Sequence, residues 1–275
     1  MSVLDSIPLW QIMAGSVIMM VLFIEIGLKL AKGNSGKQAK AQAAQVRAIM
    51  GASLGLLAFM LAFSFSMAQR HFESRTQAYM LEISAIDSAF RGADLLDDTS
   101  RDVARNLLAQ FTQIRLDITR AARDSNNMSE LVKLVKESEQ LHDMLWSLAE
   151  SSLDSAEQDN SIGLFAQSVL AMINAHDARL QAGLFNRISP VIWLTLFVMA
   201  LLSMVVMGFQ AGLTGARSAI ATWTLAITFS AVMALVTDLD RPNMSLFSMN
   251  QQLMQELHYR ISGQESNGYG LTPQE

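Results

Sequence analysis

The sequence contains four apolar runs, each long enough to cross a lipid bilayer as a helix. About 20 residues at about 1.5 Å rise each span a hydrocarbon core of roughly 30 Å. Runs that meet this criterion cover residues 7–28, 48–69, 188–209 and 218–237. No basic segment precedes the first run and no small-residue cleavage pattern follows it, which is typical of a retained helix and not of a signal peptide. We therefore predict a multi-pass protein with the lipid bilayer as a partner.

Composition agrees with a membrane protein and excludes other classes. Hydrophobic residues make up 51% of the chain and charged residues only 16%, which is unusual for a soluble protein. The net charge of −5 and the lack of a basic cluster with interleaved aromatic residues exclude nucleic acid as a partner. The absence of cysteine excludes disulfides and thiolate metal sites.

Residues 70–187 are mostly polar but strongly periodic, which indicates amphipathic helices. No helix breaker separates the second apolar run from the first polar seam, so we predict one continuous helix from Arg47 to Ala93. Three more helices follow, with Ser-, Asn- and Asp-rich connections at 124–129 and 151–160. The apolar seams are Phe72, Tyr79, Ile83, Ile86 and Phe90; Val103, Leu107, Phe111, Ile114 and Ile118; Leu131, Leu134, Leu141, Leu145 and Leu148; and Phe165, Val169, Met172, His176, Leu180 and Leu184.

The predicted fold class is therefore all-α, with four transmembrane helices and a helical-bundle extramembrane domain inserted between spans two and three. The predicted domains are 1–69 (spans one and two with a basic loop), 70–187 (the four-helix bundle), 188–238 (spans three and four) and 239–275. In the last domain, Leu246, Met249, Leu253, Leu257 and Ile261 mark a short amphipathic helix, either packed on the bundle or lying at the membrane interface, before a disordered tail.

The sequence offers no catalytic constellation. The four histidines lie in four separate segments without metal-ligand spacing, and no phosphate-binding glycine loop or nucleophile elbow occurs. We interpret His176, which lies on an apolar seam, as a core histidine. The acidic group Asp94, Asp97, Asp98 and Asp102 is typical of a helix N-terminus. We predict no enzyme activity, no metal and no cofactor.

Two patterns in the second span bear on whether this helix lines a pore. Gly51, Gly55, Ala58, Ala62 and Ser66 form a stripe of small residues, typical of close helix packing in lipid. Three bulky residues spaced by four lie beside this stripe: Phe59, Phe63 and Met67. Repeated around a symmetric pore, such residues would form an apolar constriction that gates by dewetting. The alternative is that they face lipid or a neighbouring helix.

A family resemblance rests on "LGLLAFMLAFSFSMAQRHFESR" in the second span and "DLDRP" after the fourth. Together with the helix layout, these stretches resemble the bacterial bestrophin-like membrane family, and more distantly the bestrophin ion channels. The resemblance implies a homo-oligomer, with a pentamer expected, that conducts an inorganic ion. It implies neck residues at Phe59 and Phe63, with Gly55 at the position of the first bulky neck residue. Because Asp238 and Asp240 with Arg241 form only a short membrane-exit cluster, calcium binding is not carried over.

Charge distribution predicts the orientation in the membrane. The first loop holds five basic residues and no acid: Lys29, Lys32, Lys37, Lys40 and Arg47. The bundle has 12 Lys and Arg against 18 Asp and Glu. The positive-inside rule places the short loops in the cytoplasm, and the bundle and both termini outside an inner cell membrane. The bestrophin resemblance implies a cytoplasmic bundle instead, and we favour the charge distribution.

Two functions follow from the sequence. The first is an oligomeric channel in which span two lines the pore. The alternative is a membrane-anchored scaffold or binding protein whose bundle recognises a partner. Spans without a buried charge relay favour a passive role over a pump.

Overall fold

A computed structural model of the chain describes residues 7–31, 37–123, 128–155, 160–184, 187–215, 218–241 and 251–263. Within these ranges the structure is helical, with no strand. Four of the helices, Leu9–Ala31, Lys37–Gly92, Pro190–Thr214 and Ala219–Asp240, are long and apolar enough to cross a membrane. In chain order the helices are α1 (Leu9–Ala31), α2 (Lys37–Gly92), a short 3-10 helix (Ala93–Leu95), α3 (Asp98–Arg123), α4 (Met128–Ser155), α5 (Asn160–Leu184), α6 (Pro190–Thr214), α7 (Ala219–Asp240) and α8 (Gln252–Ser262).

Helix α2 confirms the prediction that the second span continues into polar sequence without a break. It has 56 residues, or about 84 Å at 1.5 Å per residue. It begins ten residues before the predicted Arg47, because the segment 37–46 is rich in Ala, Gln and Lys, which are strong helix formers. It ends as predicted, with Gly92 leading into the 3-10 helix.

The chain divides into two packed units. Unit 1 comprises Met1–Phe72 and Asn186–Phe247, and unit 2 comprises Glu73–Phe185 and Ser248–Glu275. In unit 1, α1 packs against α6 and α7. Ser189 caps α6 as predicted, accepting a hydrogen bond from the Val191 amide, with Pro190 in the first turn. The apolar core of unit 1 includes Met20, Leu57, Leu61, Leu196, Met204 and Met233.

Unit 2 contains the polar half of α2, the three helices predicted to follow it and the predicted short amphipathic helix, α8. Its core joins α2, α3, α4 and α5 through Tyr79, Ile86, Leu108, Phe111, Leu145, Phe165 and Met172. Helix α8 adds Met254, Leu257 and Ile261 to the same core and contacts α3. Of the two alternatives for this amphipathic helix, packing on the bundle is the correct one. The connections at 124–127 and 156–159, Leu246 and Met249, and the tail from 264 lie outside the described residues.

The buried face of α3 differs from the predicted seam. Val103 was expected in the core and is 46% exposed, whereas Leu108, outside the seam, is fully buried. The buried face also includes Thr112 and Arg115. The predicted seam was defined by apolar residues alone. Because Thr112 and Arg115 are also buried, the observed buried face is displaced around the helix from the predicted one.

Candidate functional site

The predicted bulky face of α2 is partly uncovered. Phe59 is 66% exposed and Phe63 is 47% exposed. Met67, one turn further on, is half-buried and packs against the apolar core of unit 1. The structure therefore leaves two of the three bulky residues on an open surface of the chain.

The predicted small-residue stripe lies on the same exposed side of α2. Gly51, Gly55, Ala58 and Ala62 are exposed, and Ser66 is half-buried. A Cβ at Gly51 or Gly55 would meet no described atom within 4 Å. Among the described residues, Gly51 and Gly55 of the stripe are thus not packed against another helix, and the role of the stripe in close packing stays a prediction.

Close helix packing occurs instead between α1 and α6. A Cβ added to Gly27 would overlap the Val205 carbonyl and come within 2.8 Å of the Phe209 amide nitrogen. A Cβ at Gly208 would overlap the Ile24 carbonyl. These glycines let the two backbones touch, as small residues do at helix crossings in membranes. Gly208 and Gly212 form a GxxxG pair in the sequence, a pattern typical of such helix crossings, which was not among the predictions.

The predicted membrane-exit cluster ties the ends of helices together. Asp240 accepts a hydrogen bond from the Ile188 amide at 2.9 Å, and its carboxylate lies 3.7 Å from His71 Nδ1. The Arg241 guanidinium donates to the Ile7 carbonyl at 2.8 Å. Asp238 is 1% exposed. These contacts join the segments next to α1, α6 and α7 to α2, so the cluster has a structural role in unit 1.

A second polar site lies inside unit 2 and was not predicted. Glu82 of α2 is fully buried, and its carboxylate pairs with Arg115 of α3, whose Nε lies 2.8 Å from Oε1. The guanidinium of Arg179, from α5, contacts the other carboxylate oxygen. Arg179 also lies over the Tyr79 ring, 4.8 Å from its centroid, as a cation–π contact. We call Glu82, Arg115 and Arg179 the buried ion cluster.

Electrostatics keep the buried ion cluster charged. Burial alone would raise the pKa of the Glu82 carboxyl, but the guanidinium groups of Arg115 and Arg179 outweigh burial and hold that pKa far below its usual range. Burial lowers the pKa of Arg115, and the Glu82 carboxylate opposes this change. The single carboxylate of Glu82 is therefore the counter-charge of two guanidinium groups.

Two histidines lie beside the buried ion cluster. His142 of α4 and His176 of α5 are 6% and 1% exposed, and their ring centroids are 4.6 Å apart in an edge-on contact. Phe111 of α3 lies 4.9 Å from the His142 ring centroid. His176 Nδ1 is 3.5 Å from Glu82 Oε1. His176 is a core histidine, as interpreted from the sequence, but among the described residues neither of its ring nitrogens has a hydrogen-bond partner.

The acidic group near α3 has the structural role expected of it. The Asp97 carboxylate accepts hydrogen bonds from the amides of Thr99 and Ser100 and so caps α3. Asp94 pairs with Arg105 and Asp98 with Arg101. In the part of the chain that the structure describes, no group of three or more His, Cys, Asp or Glu residues is arranged to hold a metal ion.

Comparisons with known proteins agree with this architecture. A sequence model described as a bestrophin-like domain matches residues 15–244. A solved structure described as the crystal structure of a membrane protein superposes with a TM-score of 0.64 over 91% of this chain and 98% of its own, at 14% sequence identity. At this identity the likeness concerns the fold alone. No curated protein sequence matches the chain.

Proposed function

Because the chain belongs to the bestrophin-like family, we propose that this multi-pass membrane protein is an oligomeric ion channel whose second span lines the conducting path. Phe59 and Phe63 form the apolar constriction of that path. The small-residue stripe beside them lets neighbouring copies of α2 approach closely. A pentamer is the number of subunits that the bestrophin resemblance implies.

The observation that carries this proposal is the uncovered side of α2. Two runs of exposed residues lie along the helix with spacings mostly of three or four, one in its apolar half (55–63) and one in its polar half (70–88), and half-buried Ser66 and Met67 lie between them. On a helix, these spacings place them on one face. A ring of subunits with this face toward a shared axis would line a path with them. They are Gly55, Phe59, Ala62, Phe63, Arg70, Glu73, Gln77, Met80, Leu81, Ser84 and Ser88.

Ion flux into liposomes tests the proposal. Purified protein is reconstituted at equal density as wild type, Phe63→Ala and Trp223→Ala. Phe63→Ala widens the apolar constriction, so we expect flux to increase by roughly tenfold, because a wider apolar neck stays wet. Trp223 is exposed on α7 at a similar level, 49% against 47%, and its truncation should leave flux unchanged.

The oligomeric state decides between the two functions. A closed ring with α2 nearest the axis supports a channel. A monomeric wild type contradicts a channel. A ring in which neither the wild type nor Phe63→Ala conducts ions also contradicts it, and the scaffold function then remains. In the scaffold, α2 packs in the membrane and unit 2 binds the partner.

We also propose that unit 2 is the extramembrane domain inserted between spans two and three, outside the inner cell membrane together with both termini. The support is the basic first loop, which the positive-inside rule places in the cytoplasm. Since the chain has no cysteine, single cysteines report sidedness without competition. In intact cells a membrane-impermeant thiol reagent should label Ser147→Cys, at an exposed position of α4, and should label Ala44→Cys only after permeabilisation. The reverse pattern places unit 2 in the cytoplasm.

A further inference from the structure

The imidazole of His142 lies where the four main helices of unit 2 bring their polar core residues together. Its ring contacts Phe111 of α3 and His176 of α5. The charges that act on it are those of Glu82 from α2 and Arg115 from α3, and Glu82 is in turn paired with Arg179 of α5. Glu82 joins α2 to α3 and to α5 through ion pairs. Helix α4 meets the same group through the uncharged ring of His142.

A proton added at His142 Nε2 would have no acceptor among the described residues. An imidazolium needs acceptors for two N–H groups. In the described part of the chain, His142 Nε2 and both ring nitrogens of His176 have no hydrogen-bond partner. Glu82, the carboxylate in this group, is engaged by two guanidinium groups. A positive charge on His142 would therefore be buried, and the Glu82 carboxylate that could compensate it is already paired with Arg115 and Arg179.

We propose that the buried imidazole of His142, packed against the rings of Phe111 and His176, forms an acid-operated release for α4. Protonation of His142 separates α4 from α3 and α5, while the buried ion cluster keeps α2, α3 and α5 together. The release takes place within unit 2, so the proposal does not depend on whether the protein is a channel or a scaffold.

The direction of the pH dependence follows from the surroundings of His142. Burial, together with His176 and Arg115, lowers the pKa of His142 from its ordinary 6.5 to about 4, and Glu82 opposes this only weakly. The packed state therefore binds the proton less readily than the released state. Packing of α4 is fully favoured above about pH 6.5, and this advantage is lost as the pH falls toward 4.

Hydrogen exchange of the full-length protein in detergent tests the release. After correction for the chemical exchange rate, opening of α4 should increase about thirtyfold between pH 7.5 and pH 5, as expected for a group with these two pKa values. The amides of α2, α3 and α5 in unit 2 should change much less. In His142→Phe, which keeps an aromatic ring against Phe111 and His176, the change in α4 should fall below about threefold.

Asp143→Asn is the matched control, because it removes a titratable group at the next, exposed position of α4. This variant should keep the thirtyfold response. If His142→Phe loses protection throughout unit 2 at pH 7.5, His142→Met takes its place. Three results would each overturn the proposal. They are exchange of α4 that does not depend on pH, a pH response that persists in His142→Phe, and an equal loss of protection in all four helices at pH 5.

Discussion

The two halves of α2 bury different chemistry along one helix. In unit 1 its buried side consists of Leu57, Leu61, Ser64 and Ala68, and the Ser64 hydroxyl is satisfied locally by the Met60 carbonyl. In unit 2 the buried side includes Tyr79 and Ile86 but also Arg75 and Glu82. The exposed side differs in the same direction, with Phe59 and Phe63 in one half and Glu73 and Gln77 in the other.

The difference teaches what holds each unit together. A charged side chain is costly within the bilayer, so helices there pack through shape and small residues, as α1 and α6 do at Gly27 and Gly208. In unit 2, which we propose lies outside the membrane, apolar burial drives folding, and a buried charge is tolerated when partners compensate it. We therefore expect the buried ion cluster to fix which helices meet in unit 2, and the glycine crossing to do so in unit 1.

The largest expected effect is the removal of the carboxylate from the buried ion cluster. Glu82→Gln leaves the buried Arg115 and the half-buried Arg179 without this counter-charge, which should cost about 3–5 kcal/mol of the free energy of unfolding. Because a two-unit protein does not unfold in a single step, hydrogen exchange read helix by helix is the suitable measurement. Protection should fall in unit 2 and persist in α1, α6 and α7.

Glu139→Gln provides the comparison, since it makes the same chemical change at an exposed position of α4. Its effect should stay within about 0.5 kcal/mol. If Glu82→Gln is as mild as Glu139→Gln, the buried ion cluster does not hold unit 2 together, and the contrast between the two halves of α2 loses its energetic meaning.

The sequence was sufficient to predict the helices and to place the four membrane-spanning candidates. Length and apolar runs define α1, α6 and α7, and the lack of a breaker between Gln69 and Arg91 predicts the continuity of α2. The cap at Ser189 was predicted by residue type, because capping depends on a local side chain and the first helical amides. Each of these features depends on interactions within a few residues of the chain.

The buried ion cluster could not be predicted in this way, because it depends on contacts between distant segments. Glu82 and Arg115 are 33 residues apart, and Glu82 and Arg179 are 97 apart. A charged residue within an apolar seam, such as Glu82 between Tyr79 and Ile86, was the available signal. Apolar periodicity alone counts such a residue against burial, and for the same reason the predicted face of α3 was displaced.

A smaller effect is expected at the glycine crossing of unit 1. In Gly208→Ala the new methyl group would overlap the Ile24 carbonyl on α1, so α1 and α6 must separate. Overpacking of this kind costs about 1–3 kcal/mol. Hydrogen exchange should show lower protection in α1 and α6 and unchanged protection in unit 2, the reverse of Glu82→Gln.

Gly15→Ala is the matched control for this variant. Gly15 lies in the interior of α1, and no described atom lies within 4 Å of an added Cβ. In a helix interior, alanine is favoured over glycine by about 1 kcal/mol, so this change should be neutral or stabilising. If Gly208→Ala behaves like Gly15→Ala, α1 and α6 adjust without cost, and close backbone contact is not what holds unit 1 together.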